Sequence, residues 1–238
     1  MAGPEVTVII PVYNDRNALG RAIPQSVEAL SKAVQDFEIL IAEDGSRDGS
    51  AEFVGECGKH EARVHLLHSD MRLGRGKALN WAIREARGEI ICYYDVDLAT
   101  DMQHLSGLID AIRQGADIST GSRLLPQSEI RRTNGREIAS RTYNFLVRVI
   151  LGSRVFDHQC GFKAFRRGRI LDLLPTVRSN HWFWDTEVLV RAQRQEYCIR
   201  EFPVRWRAGK GTTVRIKDVF EMGSSIVRLW WQIHVPED

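Results

Sequence analysis

Apolar residues come first in unbroken runs and then at helical spacing, and the two patterns alternate through the first half of the chain. Residues 6–12 (VTVIIPV) form a β-branched run of the kind found in a strand buried on both faces. A helical period then starts at Asp15 and runs through Leu19, Ile23, Val27 and Leu30, and Pro24 inside it is expected to kink or interrupt the helix. Residues 37–42 (FEILIA) predict a second strand, ended by Glu43-Asp44-Gly45-Ser46, and Asp48 predicts the cap of a helix running toward Cys57. A short strand at 64–67, a helix at 76–86, a strand at 89–94 (EIICYY), a helix at 102–112 and a strand at 117–121 follow. Strand–helix alternation through about residue 121 implies parallel βαβ units and an α/β fold.

The second half is less regular. Residues 127–135 read as a polar loop, and 136–151 as a helix with Tyr143, Val147 and Ile150 on one face. Residues 199–206 alternate like a strand at Phe202, Val204 and Trp206. A terminal helix at 219–233 carries Phe220, Ile226, Leu229, Trp230 and Trp231. No linker rich in Pro, Gly or Ser divides the 238 residues, so one domain is expected.

Composition narrows the class. The chain is 43% hydrophobic and 27% charged, with a net charge of +2, ordinary for a globular protein and no sign of a nucleic-acid binder. Arg and Lys concentrate at 122–148 and 200–217, either as solvated faces or as a patch for an anion or a lipid surface. The cysteines at 57, 92, 160 and 198 form no C-x-x-C pair and no secretory signal precedes the first strand, so reduced thiols and a cytoplasmic location are expected. The histidines show no metal-ligand spacing, and no apolar run reaches the roughly 18 residues that span a bilayer.

In open α/β sheets, ligands bind at the carboxyl ends of the strands. Four polar clusters fall at such ends: residues 11–15, 43–46, 95–97 and 121–123. Asp44 is placed to accept hydrogen bonds from a nucleoside, although a turn or cap role fits as well. Neither G-x-G-x-x-G nor a P-loop is present, so the dinucleotide and P-loop readings lose their main support. Asp95 and Asp97 are two apart, and in extended backbone such residues point to the same side. They would offer two hard oxygen ligands to a divalent ion whose shell is completed by diphosphate oxygens; the alternative is a solvated acidic loop.

The segments VIIPVYND (8–15), EDGSRDGS (43–50), DVDLAT (95–100), GSR (121–123), DHQCGFKAF (157–165) and HWFWDTEVL (181–189) occur in that order. With them the chain resembles the family 2 glycosyltransferases of the polyprenyl-phosphate branch, which includes the dolichyl-phosphate glucose and mannose synthases. The resemblance implies a GT-A fold, with a mostly parallel central sheet flanked by helices. It implies a nucleotide-sugar half at about 1–121, an acceptor half at about 122–238, and inversion at the anomeric carbon. It implies that Pro11, Tyr13, Asp44, Lys77 and Asp95 bind the donor, and that Asp95 and Asp97 carry Mg²⁺ or Mn²⁺. Arg123, Arg136 and Lys163 would fall near the acceptor phosphate or donor diphosphate. Asp185, with Glu187, would act as a base or organise those arginines, although acids are favoured in a first helical turn in any case.

Two departures bear on specificity. Residues 72–76 read RLGRG where the family often has N-x-G-K-G, and Ala99 stands where mannose synthases often place Gln. The second favours UDP-glucose over GDP-mannose as donor. The acceptor implied is a polyprenyl or dolichyl phosphate, the alternatives being transfer to a saccharide hydroxyl or a catalytically silent nucleotide-sugar-binding subunit. The chain is expected to sit peripherally at the cytoplasmic face of a membrane. Trp230 and Trp231, with Arg228, would form either an interfacial anchor or a face packed on the core, and a membrane-spanning partner subunit would serve the same end.

Overall fold

The computed structural model describes residues 3–131, 134–207 and 216–235. Residues 1–2, Arg132, Thr133, 208–215 within the basic stretch at 200–217, 236–238, and the side chains of 134 and 216–221, Phe220 among them, lie outside that description.

One sheet of seven strands organises the molecule, in the order β3-β2-β1-β4-β7-β5-β8. Its members are β1 (Val6–Val12), β2 (Phe37–Asp44), β3 (Val64–Ser69), β4 (Ile90–Tyr94), β5 (Ile118–Ser122), β7 (Phe162–Arg166) and β8 (Ile199–Pro203). Helices α1 (Arg16–Ala33), α2 (Ser50–His60), α3 (Arg75–Glu85) and α4 (Leu105–Arg113) connect the first five strands. β1 pairs in parallel with β2 and β4, placing Val8 beside both Ile39 and Cys92. Successive residues feed opposite faces: Val8 and Ile10 enter one apolar cluster, while Ile9 enters the other with Leu40, Ile91 and Trp184. Burial on both faces is why these strands read as continuous apolar runs. The carboxyl ends of β1, β2 and β4 therefore share one edge.

β7 runs antiparallel between β4 and β5. It inserts a strand into an otherwise parallel sheet, and strand–helix alternation gives no hint of it. Three further elements depart from the sequence reading. α1 runs unbroken through Pro24, because the carbonyl that Pro24 leaves unpaired belongs to Gly20 and both residues face solvent. The expected polar loop at 127–135 contains β6 (Glu129–Arg131), which pairs with β9 (Arg205–Arg207) in a separate two-stranded sheet. The expected strand at 199–206 is accordingly split, β8 and β9 meeting at the buried Val204.

Helix α5 (Asn134–Leu151) packs on α8 (Ile216–His234) through Val147, Leu151, Ile226 and Leu229. Of Tyr143, Val147 and Ile150, expected on one face, Tyr143 and Val147 turn to this cluster while Ile150 is 37% exposed and Leu151 is buried instead. The inner face of α8 packs on the core, while Trp231 remains 57% exposed on the other side. No helix of the described residues is long and apolar enough to cross a membrane, and all four cysteines are free.

Between α5 and β7 lies a buried polar knot. His158 donates from Nδ1 to Asn144 Oδ1 (2.8 Å), and its Nε2 pairs with Ser153 Oγ (2.7 Å). Burial holds its imidazole neutral, with a pKa lowered from 6.5 to about 3. The unfolded chain therefore binds one more proton than the native protein between those values, and stability falls as pH drops through that window. Unfolding titrations of the wild type and of His158→Gln should show a difference in slope of about 1.4 kcal/mol per pH unit between pH 6 and 4. Parallel profiles would contradict the buried neutral ring.

Candidate active site

A cavity of about 240 Å³ opens at the carboxyl edge of the sheet. Pro11 and Tyr13 reach it from β1, Asp44 from β2, and Asp95 and Asp97 from the turn after β4, with Arg72, Arg75 and Trp182 closing the sides. Five residues read from sequence as donor or metal residues therefore meet in one place.

The loops that carry them are laced together. Asn14 donates its backbone N–H to Ser46 Oγ (2.8 Å) and accepts one from Arg47 N (2.8 Å). Asp48 accepts from Arg16 N (2.9 Å) and Ser50 N (3.1 Å), joining the first turns of α1 and α2. This accounts for the polar residues of VIIPVYND and EDGSRDGS that do not line the cavity. Asp44 faces the cavity, but both its oxygens already accept backbone N–H groups, from Leu73 (2.5 Å) and Gly74 (3.0 Å). It fixes the loop before α3, and burial pushes its carboxyl upward.

Asp95 and Asp97 do not lie in extended backbone. A turn begins at Asp95, closed by Leu98 N to Asp95 O (3.0 Å), with Leu98 at φ +50°. Both acids still line the cavity. Asp97's carboxyl is pushed up by burial and by the neighbouring charge of Asp95.

Arg75 is the residue that sequence reasoning passed over. It donates to Asp95 Oδ1 (2.9 Å) and to Asp185 Oδ2 (2.5 Å), bridging the turn after β4 to α7 (Trp184–Arg194). The signal was present in the RLGRG departure, where the cation stands two positions before the expected Lys77. Lys77 is exposed and outside the cavity lining. Gly74 and Gly76 flank Arg75 for a steric reason. A Cβ at Gly76 would lie 2.8 Å from Asn180 C and 2.9 Å from Trp184 Cβ, so the start of α3 and the 178–184 segment approach at backbone contact.

Asp185 is enclosed by donors: Arg75, the Tyr93 hydroxyl and Lys163 Nζ (3.2 Å). Burial pushes its carboxyl up, and Arg75 pulls it back. Glu187 accepts from Arg178 N (3.1 Å), Ser179 N (2.8 Å) and Arg191 Nε (2.7 Å). The arginines these two acids hold are Arg75 and Arg191.

The three expected acceptor-phosphate residues lie on β7, just after β5 and in α5. Lys163 is fully buried on β7, its ammonium donating to Cys160 O (2.5 Å) and His158 O (3.1 Å) beside Asp185, with a pKa lowered by burial to about 8. Arg123 grips the fully buried Asp157 through Nε (2.7 Å) and Nη2 (2.8 Å), and lies outside the cavity lining. Arg136 is exposed in the first turns of α5.

Residues 7–173 match the family model for glycosyl transferase family 2. The chain is 45% identical to glycosyltransferase AglD of Haloferax volcanii, over 98% of its own length but only 38% of AglD's. It is 28% identical to dolichyl-phosphate beta-glucosyltransferase ALG5D of Trichomonas vaginalis, over 94% of this chain and 72% of the relative. It is 30% identical to polyprenol monophosphomannose synthase of Mycolicibacterium smegmatis, over 93% and 82%. Glucosyl-3-phosphoglycerate synthase from Mycobacterium tuberculosis, solved with Mn²⁺, uridine diphosphate and glucosyl-3-phosphoglycerate, superposes with a TM-score of 0.68 over 99% of this chain and 82% of that one, at 16% identity. The mixed sheet, the strand-end cavity and the match over most of the chain together establish a GT-A glycosyltransferase, a member of glycosyl transferase family 2.

Proposed function

We propose that the protein moves a hexose from a nucleotide sugar, UDP-glucose in preference to GDP-mannose, to a polyprenyl-type phosphate, with Mg²⁺ or Mn²⁺ held by Asp95 and Asp97. The observation that carries the acceptor class is the state of Asp185. Its carboxylate is enclosed by Arg75, Lys163 and Tyr93 and has no open face for a substrate proton. A hydroxyl acceptor needs a base, whereas a phosphate is already an anion at neutral pH. The relatives named for lipid-phosphate acceptors support the same reading.

The donor set suits a divalent ion. Asp95 and Asp97 bring like charges to the cavity from one turn, and no cluster of three His, Cys, Asp or Glu forms a closed metal site among the described residues. Two carboxylates with open positions match an ion that keeps water and diphosphate oxygens in its shell. A structure of the same fold holds Mn²⁺ with uridine diphosphate. When bound, the ion neutralises charge on the leaving nucleoside diphosphate. Arg75 holds Asp95 in place, and Arg72, 3.9 Å above the Tyr13 ring, presents a guanidinium to the diphosphate while Tyr13 offers an aromatic face to the base.

Approach to a lipid is supported by the outer faces of α5 and α8. Ile138, Phe145 and Val149 on α5 are 62–65% exposed, and Val227 and Trp231 on α8 are more than half exposed, beside Arg148 and Arg228. Aromatic and aliphatic side chains with flanking arginines suit a helix pair resting in an anionic interface. The test offers short polyprenyl phosphate, the matching alcohol and a free saccharide as acceptors, each with UDP-glucose, UDP-N-acetylglucosamine and GDP-mannose. Lipid-phosphate glucose is the expected product. A hydroxyl acceptor that outperforms the phosphate would overturn the acceptor assignment, and product with GDP-mannose alone would overturn the donor.

A further inference from the structure

Arg75 is held from four sides at the donor-side cavity. Its guanidinium donates through Nη2 to Asp95 Oδ1 (2.9 Å) and through Nη1 to Asp185 Oδ2 (2.5 Å). Its Cζ lies 5.4 Å from the centre of the Tyr93 ring and 5.5 Å from that of Trp182. The side chain is only 14% exposed, and Asp185 is itself buried against Lys163 and Tyr93. A guanidinium fixed in this way stays beside Asp95 when a second cation approaches. The neighbouring acids are committed as well. Asp15 caps α1 through one oxygen, on Ala18 N (3.2 Å), Asp44 accepts from Leu73 N and Gly74 N, and Asp97 Oδ1 accepts from Ala99 N (3.0 Å). Asp95 and Asp97 therefore each bring an ion one oxygen with no partner among the described residues, Oδ2 in both cases. The other oxygen of Asp95 carries a fixed positive charge.

That arrangement is a poor site for a bare divalent ion. Mg²⁺ demands an octahedral shell of oxygens, and the two carboxylates supply a minor part of it. A dication that shares Asp95 with Arg75 also meets like-charge repulsion, which a partly buried setting screens weakly. A nucleoside diphosphate relieves both problems, because its oxygens fill the shell and its negative charge offsets the two cations. We propose that Arg75 is a resident counter-cation that prevents Asp95 and Asp97 from holding the ion tightly by themselves, so that ion and nucleoside diphosphate are taken up together. The inference rests on the ion assignment proposed above. Arg75 is here a positioning residue, acting on the ion through Asp95. The coupling is reciprocal: the factor by which the diphosphate tightens the ion is the factor by which the ion tightens the diphosphate. Exchange of Arg75 to Lys keeps the charge, and exchange to Gln removes it while leaving a hydrogen-bond donor for Asp185.

The test is direct binding, separate from turnover. Mn²⁺ binding is read from the electron paramagnetic resonance signal of the free ion, with and without uridine diphosphate. The proteins are the wild type, Arg75→Gln, Arg75→Lys and Arg21→Gln, with thermal unfolding recorded for each. Arg21 is an exposed cation of α1 whose charge acts on Asp97 at a distance. In the wild type, uridine diphosphate should tighten Mn²⁺ about tenfold or more, in the range usual for coupled sites. Arg75→Gln should bind Mn²⁺ alone about tenfold more tightly and show correspondingly weaker coupling. Arg75→Lys should stay near the wild type, and Arg21→Gln should change little. Unchanged or weaker Mn²⁺ binding by a folded Arg75→Gln protein overturns the inference. So does an equal gain in Arg21→Gln, which would make net charge the cause. Where Arg75→Gln does not fold, the wild type and Arg75→Lys decide: equal affinity for Mn²⁺ with and without uridine diphosphate in both overturns the inference and leaves the ion assignment standing. No Mn²⁺ binding by the wild type under either condition removes the ion assignment and the inference with it.

Discussion

Asp157→Asn should lower the free energy of unfolding by about 3–5 kcal/mol, the cost of leaving one partner of a buried ion pair uncompensated. Asp157 is fully buried and accepts three hydrogen bonds from Arg123, one from its backbone and two from its guanidinium. The Arg123 side chain is only 12% exposed and lies 5.6 Å from the Trp206 ring, so water has little access to replace the carboxylate. The cations around Asp157 hold its carboxyl well below the usual range. Denaturant unfolding of the single variants and of an Arg123→Met, Asp157→Leu pair separates the penalty of an orphaned charge from the worth of the bridge. The double variant should recover much of the loss. A change below about 1 kcal/mol for Asp157→Asn would place the pair at the surface, where ion pairs contribute little.

Gly161→Ala should act in the opposite way, on activity and not on stability. A Cβ at position 161 would collide with both carboxylate oxygens of Asp95. The obstructing atoms are the end of a side chain that is 44% exposed, so the chain yields by turning Asp95 aside at small cost to the fold. Asp95 would then lose Arg75 and its place in the cavity. Transfer should fall by about 10²–10³, the scale of removing one electrostatic contact to developing charge, with a melting temperature close to the wild type. Unchanged activity would mean that the position of Asp95 is not critical. Gly161→Ser should behave like Gly161→Ala.

That glycine also shows where the sequence is informative. QCGFK is recognisable as a motif, but its parts act far from where the letters suggest. Gly161 makes room for Asp95 just before the antiparallel β7, and Lys163 on that strand supports Asp185 from inside the core. β1, β2, β4 and β5 are legible because burial on both faces writes them as continuous runs and each ends in a polar cluster. β7 is not, because its register is set by β4 and β5, residues distant in the chain. The donor-side cavity is legible through Pro11, Tyr13, Asp44, Asp95 and Asp97, which lie at or just after the carboxyl ends of β1, β2 and β4. Arg75 is not, since a cation in a first helical turn looks like a surface residue until Asp185, 110 positions away, is seen beside it. Arg123 and Lys163 are chemically apt for phosphate, and the sequence does not show that Asp157 and the carbonyls of His158 and Cys160 already engage them.

The central claim is that Asp95 and Asp97 clamp a donor diphosphate through a divalent ion while a phosphate acceptor attacks the sugar. Its most direct test is the initial rate of lipid-phosphate glucose formation from UDP-glucose and short polyprenyl phosphate. The rate is measured after chelation, after add-back of Mn²⁺ or Mg²⁺, and in Asp97→Ala. Product should be absent in chelator, return with the ion, and fall by about 10²–10³ or more in the variant. Turnover that persists in chelator, or an Asp97→Ala protein that keeps the wild-type rate, would contradict it.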